Sequence, residues 1–563
     1  MNKEFSRALA TAFMALVVVA ALWAPQVMAQ NNGEAMVTGI EIEGNVHVDT
    51  SLIRSAITRT QVDTILTEDN VLQDLHAIYD LGYFYDASAK FDPTPGGVKV
   101  VFVVDENPIV RDIRFIGAVK APVAEFKRQM NTQPGQVLNV NTLMEDIRRL
   151  PDWVLLEYGI ALRPVDLRAD DDGYIEVDIA ETVIADIRLE GNEKTRDFVI
   201  LRELTVEPGD ILDMNEINRS LRRILMLGFF DEINRSFEDG DSPDEQIMTI
   251  HLTERKTGSA TGGIGYGTND GWMIFGEIAE DNFFGRGQRI NLSVEFSTKR
   301  KTYELGFFEP YIDASGTSLG VNVYHRISTV GEDEDERRTT GGDVTVGRPL
   351  AEFTRGRLTL KAQNNRYTGV EFEDYNTRTI GAGITTNTTD HPFFPTEGFK
   401  NIVSLEVGTS LFGGDAVFSK MELEHSRYFE VRDGGFVFAV RGLGGRVLTG
   451  ELRESELYRA GGDPRMRGYS RNDQDLVGDK MLVMNAEFRF PIIDRVQGVV
   501  FTDWGNAWRP DESISFGELK NSYGLGVRLD TPLGLLRLDY GWGLDAETET
   551  RQGQFNFGFG QTF

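Results

Sequence analysis

Three ionisable residues near the C-terminal end have types and spacing suited to a buried ion-pair cluster. Leu482, Met484, Ala486, Phe488 and Phe490 share one face of an alternating strand, which turns Glu487 to the other face. Val500, Thr502 and Trp504 do the same for Asp503. Two carboxylates on a face closed to water need compensation, because an unpaired buried charge is costly. Arg467, followed by Gly468 and Tyr469, lies on a glycine-bearing loop, and its planar guanidinium can satisfy either or both carboxylates bidentately. The alternative is an arginine on a solvated loop with both carboxylates facing water, and the residues by themselves leave the two arrangements open. Either is electrostatic positioning, with no bond made or broken.

Nothing else in the chain points to catalysis. There is no Gly-x-Ser-x-Gly elbow and no Gly-x-x-x-x-Gly-Lys phosphate loop. Cysteine is absent, and the six histidines (His47, His76, His251, His325, His391, His425) show no zinc-ligand spacing. The acidic run Glu332-Asp333-Glu334-Asp335-Glu336 reads as a solvated loop tip. We therefore expect no enzyme activity, no catalytic or metal-binding residue and no cofactor. A net charge of −30 argues against nucleic acid as a partner, since phosphate binding requires basic surface.

The elements that must position Glu487 and Asp503 belong to a region of distinct texture. The chain has 59 glycines in 563 residues, above the ~7% norm, and the excess lies mostly after Gly258. From there short alternating runs are broken by turn residues. Tyr523, Leu525, Val527 and Leu529 alternate with Gly524, Gly526, Arg528 and Asp530; Leu536, Leu538, Tyr540 and Trp542 alternate with Arg537, Asp539, Gly541 and Gly543. At the end, Phe555, Phe557, Phe559 and Phe563 fall on one face, and Asn556, Gly558, Gly560 and Thr562 on the other, with Gln561 interrupting. Apolar-out, polar-in alternation over strand after strand is the pattern of an all-β transmembrane barrel. A soluble sandwich alternates as well, but buries its apolar face against a second sheet. Residues 257–563 suffice for about sixteen antiparallel strands, and only closure satisfies every backbone group in lipid. Closure would pair roughly Ser259–Thr268 with Gln554–Phe563. Gly262, Gly263, Gly265 and Gly267 on one side, with Gly558 and Gly560 among the phenylalanines on the other, make this seam the weakest pairing expected, because glycine weakens a strand. Alternatively, those glycines merely accommodate curvature.

Upstream, residues 36–256 repeat with a period near 75. Glycines closing an alternating strand stand at Gly44, Gly117 and Gly191, spaced 73 and 74 apart. Glutamates closing another stand at Glu106, Glu181 and Glu254, spaced 75 and 73 apart. Two helical patterns lie between, clearest over Thr67–Leu81 and Asn215–Leu227. The unit is α+β, in the order strand-helix-helix-strand-strand, with boundaries at 36–106, 107–182 and 183–256. A small sheet with an open edge can accept an extended chain by strand addition. Ahead of the repeats, Lys3 and Arg7 precede an apolar run ending at Val27-Met28-Ala29, so residues 1–29 read as a secretory signal peptide.

The repeat resembles the POTRA domain, the periplasmic module of the BamA/TamA outer-membrane protein assembly factor superfamily. The barrel is similar to that family's surface-antigen-type barrel at several points. Arg465-Met466-Arg467-Gly468-Tyr469 resembles the Val-Arg-Gly-Phe/Tyr motif of the long sixth extracellular loop, with methionine where valine is common. Phe501-Thr502-Asp503-Trp504-Gly505 resembles the Phe-x-Asp-x-Gly strand motif, and Asn485-Ala486-Glu487-Phe488 lies where the family has an acidic strand. Asn282–Gly287, Phe308-Glu309-Pro310-Tyr311 and Pro392–Gly398 look like family turn and strand segments, and Phe555–Phe563 like a barrel C-terminal signal. The resemblance implies a lumenal lock formed by Arg467, Gly468, Tyr469, Glu487 and Asp503. It further implies a bacterial outer-membrane location with the N-terminal domains in the periplasm. Expected partners are the lipid bilayer, unfolded outer-membrane proteins and accessory periplasmic proteins or lipoproteins. The implied function is insertion and folding of barrel proteins through a laterally opening seam. The alternatives are a TamA-like factor for autotransporter-type substrates, a branch that usually carries three POTRA domains, and a two-partner secretion transporter, which typically carries two. A passive porin is disfavoured by the repeats.

Overall fold

The computed structural model describes residues 35–563 apart from 269, 331–334, 370–372, 392–393, 433, 454–455, 472, 532–533, 545–552 and 560–562. The signal-peptide reading of 1–29, part of the acidic run (Glu332, Asp333, Glu334), Pro392 and Phe393, and Gly560, Gln561 and Thr562 therefore lie outside the described residues. Two compact units make up the chain. One runs to Glu190 and includes Glu203–Ile224 and Ile233–Leu252; the other comprises Gly191–Arg202, Leu225–Glu232 and Thr253–Phe563.

Each repeat has the expected strand-helix-helix-strand-strand order. The first consists of Val37–Glu43, helices Thr50–Ala56 and Glu68–Tyr79, and strands Phe84–Thr94 and Gly97–Glu106. In the second the strands are Asp112–Ile116, Leu162–Ala169 and Tyr174–Glu181, and in the third Val183–Glu190, Phe230–Asp239 and Glu245–Glu254. The closing strand always sits in the middle of its sheet, parallel to the first strand. The opening and penultimate strands are therefore the two edges. Alternation explains the core of the first repeat: Val100, Phe102 and Val104 of the closing strand pack with Ile53, Val71 and Ile78 from the two helices. The second helix starts where Thr67 accepts the Asn70 N–H, and in the second repeat Asn139 accepts the Thr142 N–H.

The periodic glycines and glutamates have one physical cause. Gly44 and Gly117 have φ of +95° and +94°, and a Cβ there would lie 2.1 and 2.2 Å from the carbonyl oxygens of Val104 and Ile179. The chain then turns so that backbone N–H groups converge on the closing glutamate. Glu106 accepts from Val46, His47 and Val48 at 2.7–2.9 Å, Glu181 from Lys120 and Ala121, and Glu254 from Lys194 and Thr195. A second clasp also recurs: Asp74 accepts from Thr58, Arg59 and Thr60, Asp146 from Asn131 and Thr132, and Ser220 from Thr205.

Burial pushes the Glu106 carboxyl up, but hydrogen bonds from Val48, His47 and Val46 outweigh it and hold it below the ordinary glutamate range. Glu254 is likewise depressed, with burial opposed by Thr195 and Lys194. A carboxylate whose folded value is lowered contributes stability above its unfolded value, about 4.3. That stability disappears as pH falls through the lowered folded value. With the domain boundary proposed near 257, a fragment of residues 30–256 is expected to be soluble and monomeric without detergent, since the repeats carry their own cores. Its urea midpoint should fall between roughly pH 5 and 3, and Glu106→Gln should cost about 1–2 kcal/mol at neutral pH while flattening that dependence. An aggregating fragment argues against the boundary, and a pH-independent midpoint against the clasp.

The barrel is a single sheet of sixteen strands from Gly258–Gly267 to Gln554–Phe559, each antiparallel to the next. Its outward face is apolar, as Ile264, Ile278, Leu358, Leu360, Val500 and Leu525 illustrate by their exposure. The inward face carries Asn485, Glu487, Arg489, Asp503 and Arg528, all buried. This is the period-two alternation of a lipid-facing barrel with a polar lumen.

Candidate functional site

Strand Lys480–Ile493 turns Met481, Val483, Asn485, Glu487 and Arg489 inward. Strand Val496–Trp508 turns Val499, Phe501 and Asp503 the same way. The loop between Gly450 and Lys480 carries Arg467 into this lumen, where it, Glu487 and Asp503 are all 0% exposed. Arg467 Nη2 donates to Asp503 Oδ1 at 2.7 Å and Nε to Asp503 Oδ2 at 3.0 Å, a bidentate fork. Nη1 donates to Glu487, so one guanidinium satisfies both carboxylates. The Arg467 backbone N–H also donates to Asp503, and the Phe501 ring centroid lies 3.5 Å from the guanidinium carbon. The structure places Arg467 between the two inward carboxylates.

Gly468 and Tyr469 hold the loop against the wall. A Cβ at Gly468 would stand 2.6 Å from Ser522 Cβ and from the Trp542 carbonyl carbon, so only glycine allows this approach. Buried Tyr469 donates its hydroxyl to the Asn521 carbonyl at 3.0 Å, and packs with Met466, Leu476 and Val483.

The network extends beyond the five expected residues. Arg489 pairs with Glu487 at 2.7 Å, and Arg528 with Asp539 at 2.7 Å and Glu487 at 3.5 Å. Arg537 pairs with Asp539 at 3.5 Å and with Asp463 on the loop. Four arginines thus face four carboxylates, which balances the charge that burial would otherwise penalise. Alternation had already turned Arg528, Arg537 and Asp539 to the polar face, and that was the available signal. Their partners depended on which strands pair side by side and on the path of the loop. Asn556 of the last strand donates to the Arg467 carbonyl at 3.0 Å, which connects the loop to the seam.

At the seam, the first and last strands meet without a ladder of paired residues among the described residues. The Thr268 N–H donates to Phe555 O at 2.9 Å, and the Phe555 N–H to Thr268 Oγ1 at 2.9 Å. Gly265 and Gly267 are buried there. A Cβ on Gly265 would overlap the Phe557 ring at 2.4 Å, and one on Gly267 would stand 3.7 Å from Phe555 O. Gly263 abuts Phe275, and Gly262 the Phe275 carbonyl, so these two face the second strand rather than the last. The Phe559 side chain lies outside the described residues.

Phe563 requires a correction. Expected on the seam's apolar face, it is buried against Tyr428, Val437 and Ala439, with Arg441 and Arg489 at 5.7 and 5.5 Å from its ring. Those residues alternate with exposed Phe429, Phe438 and Val431, so they line the lumen. Cation–π attraction and a ready apolar pocket draw the terminal ring inward.

Strand-helix-helix-strand-strand repeats, a sixteen-stranded barrel and a loop locked inside it define the class of outer-membrane proteins with periplasmic repeat domains. The Omp85 superfamily domain matches residues 282–563, half of the chain, and the chain belongs to that superfamily. The POTRA surface antigen variable number repeat matches 35–107 and 182–255. The intervening repeat shares their sheet order. Outer membrane protein assembly factor BamA of Nitratidesulfovibrio vulgaris is 28% identical, over 89% of this chain and 68% of that protein. Chloroplastic outer envelope protein 80 of Arabidopsis thaliana is 24% identical, over 90% of this chain and 74% of that one. In fold, the chain resembles BamA of Haemophilus ducreyi lacking POTRA domains 1–3, with a TM-score of 0.59 at 21% identity, covering 79% of this chain and 99% of that one.

Proposed function

We propose that this protein resides in the bacterial outer membrane, with its repeats in the periplasm, and folds and inserts other β-barrel proteins there. One observation carries the reading: among the described residues fifteen successive strand pairs are laddered, whereas the pair that would close the barrel is joined only through Thr268 and Phe555. An exposed strand edge offers unpaired N–H and C=O groups to an incoming strand, and in lipid every such group must find a partner. A seam that opens sideways therefore lowers the barrier to strand-by-strand barrel formation, and no covalent step is needed. The edge strands of the repeats suit capture of unfolded substrate, or of accessory periplasmic proteins, by strand addition. The similarity to assembly factors along most of the chain supports this reading over a two-partner secretion transporter, and three repeats count against that alternative. A TamA-like role differs only in substrate range.

Depletion of the protein followed by profiling of the outer membrane tests the proposal. Broad loss of barrel proteins is the expected result. Loss of one autotransporter-like class shifts the role to the narrower branch, and loss of a single secreted protein overturns the insertase reading.

A further inference from the structure

We propose that the Gly450–Lys480 loop is a strut anchored at two separate places on the barrel wall, and that Glu456 is the positioning residue of the second anchor. The proposal rests on the loop-lock reading of Arg467 and adds a residue that reading does not use. Glu456 lies in a stretch, Glu451-Leu452-Arg453-Glu454-Ser455-Glu456, that by composition belongs in solvent. Its own exposure is 9%.

Three wall strands hold it. Gln363 of strand Thr354–Thr368 donates to Glu456 Oε1 at 3.0 Å, and Thr377 of strand Tyr375–Asn387 donates to the same oxygen at 3.3 Å. Lys420 of strand Phe418–Arg432 stands 3.7 Å from the other oxygen. Lys420 also pairs with Glu406 at 3.3 Å, and Glu406 with Lys361. Two lysines thus face two glutamates, one of them supplied by the loop. Two residues on, buried Tyr458 donates its hydroxyl to the Met421 carbonyl at 2.9 Å. A Cβ on Gly445 would meet that ring at 2.6 Å, so the wall leaves space for it.

The second anchor is distinct from the Arg467 lock. Arg467 engages strands Lys480–Ile493 and Val496–Trp508, and through its carbonyl the last strand; none of these contributes to the Glu456 cluster. Glu456 and Arg467 are eleven positions apart, so the chain between them ties two arcs of the wall that are not neighbours in the sheet. Removing Glu456 leaves Lys361 and Lys420, both only partly exposed, facing Glu406 alone, an unbalanced charge in a half-buried site. The leading limb of the loop is then expected to detach while the Arg467 fork persists.

The absence of cysteine permits a direct test. Val477 is 7% exposed and pairs with Arg459, three residues after Glu456. A Val477→Cys protein on whole cells should react slowly with a membrane-impermeant maleimide. Adding Glu456→Ala should raise that rate roughly tenfold or more, the scale expected for loss of a buried charge-assisted bond. Glu456→Gln should give an intermediate rate, and combining it with Lys420→Met should restore protection by removing the unmatched charge. Heat-modifiable mobility identifies the folded barrel. If Glu456→Ala does not fold, the glutamine variant and its rescue decide. Unchanged labelling in the alanine variant, or in both the glutamine variant and its double mutant, overturns the strut. Because labelling is read without reference to assembly, a failure of the insertase reading leaves this outcome separately visible.

Discussion

Arg467→Ala is expected to release the loop from the lumen and to sharply reduce assembly activity. The partners left behind differ. Glu487 keeps Arg489 at 2.7 Å and Arg528 at 3.5 Å, but Asp503 loses its bidentate fork and retains the Asn485 amide at 2.8 Å. Stranding a fully buried carboxylate costs about 3–5 kcal/mol, comparable to the whole margin by which many domains are folded. Arg467→Lys should rescue only in part. An ammonium is a point charge and cannot present two parallel bonds to Asp503 while reaching Glu487. Pairing Arg467→Ala with Asp503→Asn removes the stranded charge. It should recover barrel folding more than assembly if the role of the loop is positional. Proteolysis of the loop on whole cells and the yield of newly assembled barrels are the two readouts. Wild-type protection and yield in the alanine variant would reduce Arg467 to a structural bystander.

A disulfide across the seam is expected to have an effect of similar size, and a reversible one. Gly265→Cys with Phe557→Cys places both thiols where a Cβ already overlaps the neighbouring ring at 2.4 Å, and replacing the ring relieves that overlap. No native thiol competes. Oxidation should arrest assembly, and reductant should restore it. The control is a disulfide between Val527→Cys and Leu538→Cys, which sit opposite each other in a laddered pair and should be locked without consequence. If both disulfides arrest assembly, general stiffening is responsible. Full activity in a quantitatively cross-linked seam would falsify lateral opening while leaving the fold untouched.

The orientation of Glu487, Asp503, Arg528 and Asp539 was legible in the chain because a strand has a side-chain period of two. The neighbours that set each face are adjacent in sequence, so no long-range information is needed. The 75-residue period and the unit order follow from local pattern in the same way, whereas the approximate strand number rested on the length of residues 257–563. The glutamates ending each repeat were visible as a rhythm, but their reason was not. Their partners are N–H groups about sixty residues upstream, brought near only by the parallel pairing of the first and last strands of each repeat.

Tertiary structure alone decided which inward groups meet. Arg489, Arg528 and Arg537 could each have faced lumen water. Pairing of four consecutive strands, and the path of the Gly450–Lys480 loop against them, brought them into one charge-balanced network with Asp463 and Asp539. The same loop path turned Glu456 from a solvated loop residue into a wall contact. Phe563 departs furthest from local pattern. Alternation placed it outward with Phe555 and Phe557, yet Arg441, Arg489 and Tyr428, from strands distant in sequence, hold it in the lumen. Period-two patterning assigns a side only while the chain remains a strand, and the described final strand ends at Phe559. Phe563 itself is in no strand, so its destination is set by the energy of the pocket it can reach, and this pocket exists only once the barrel has formed.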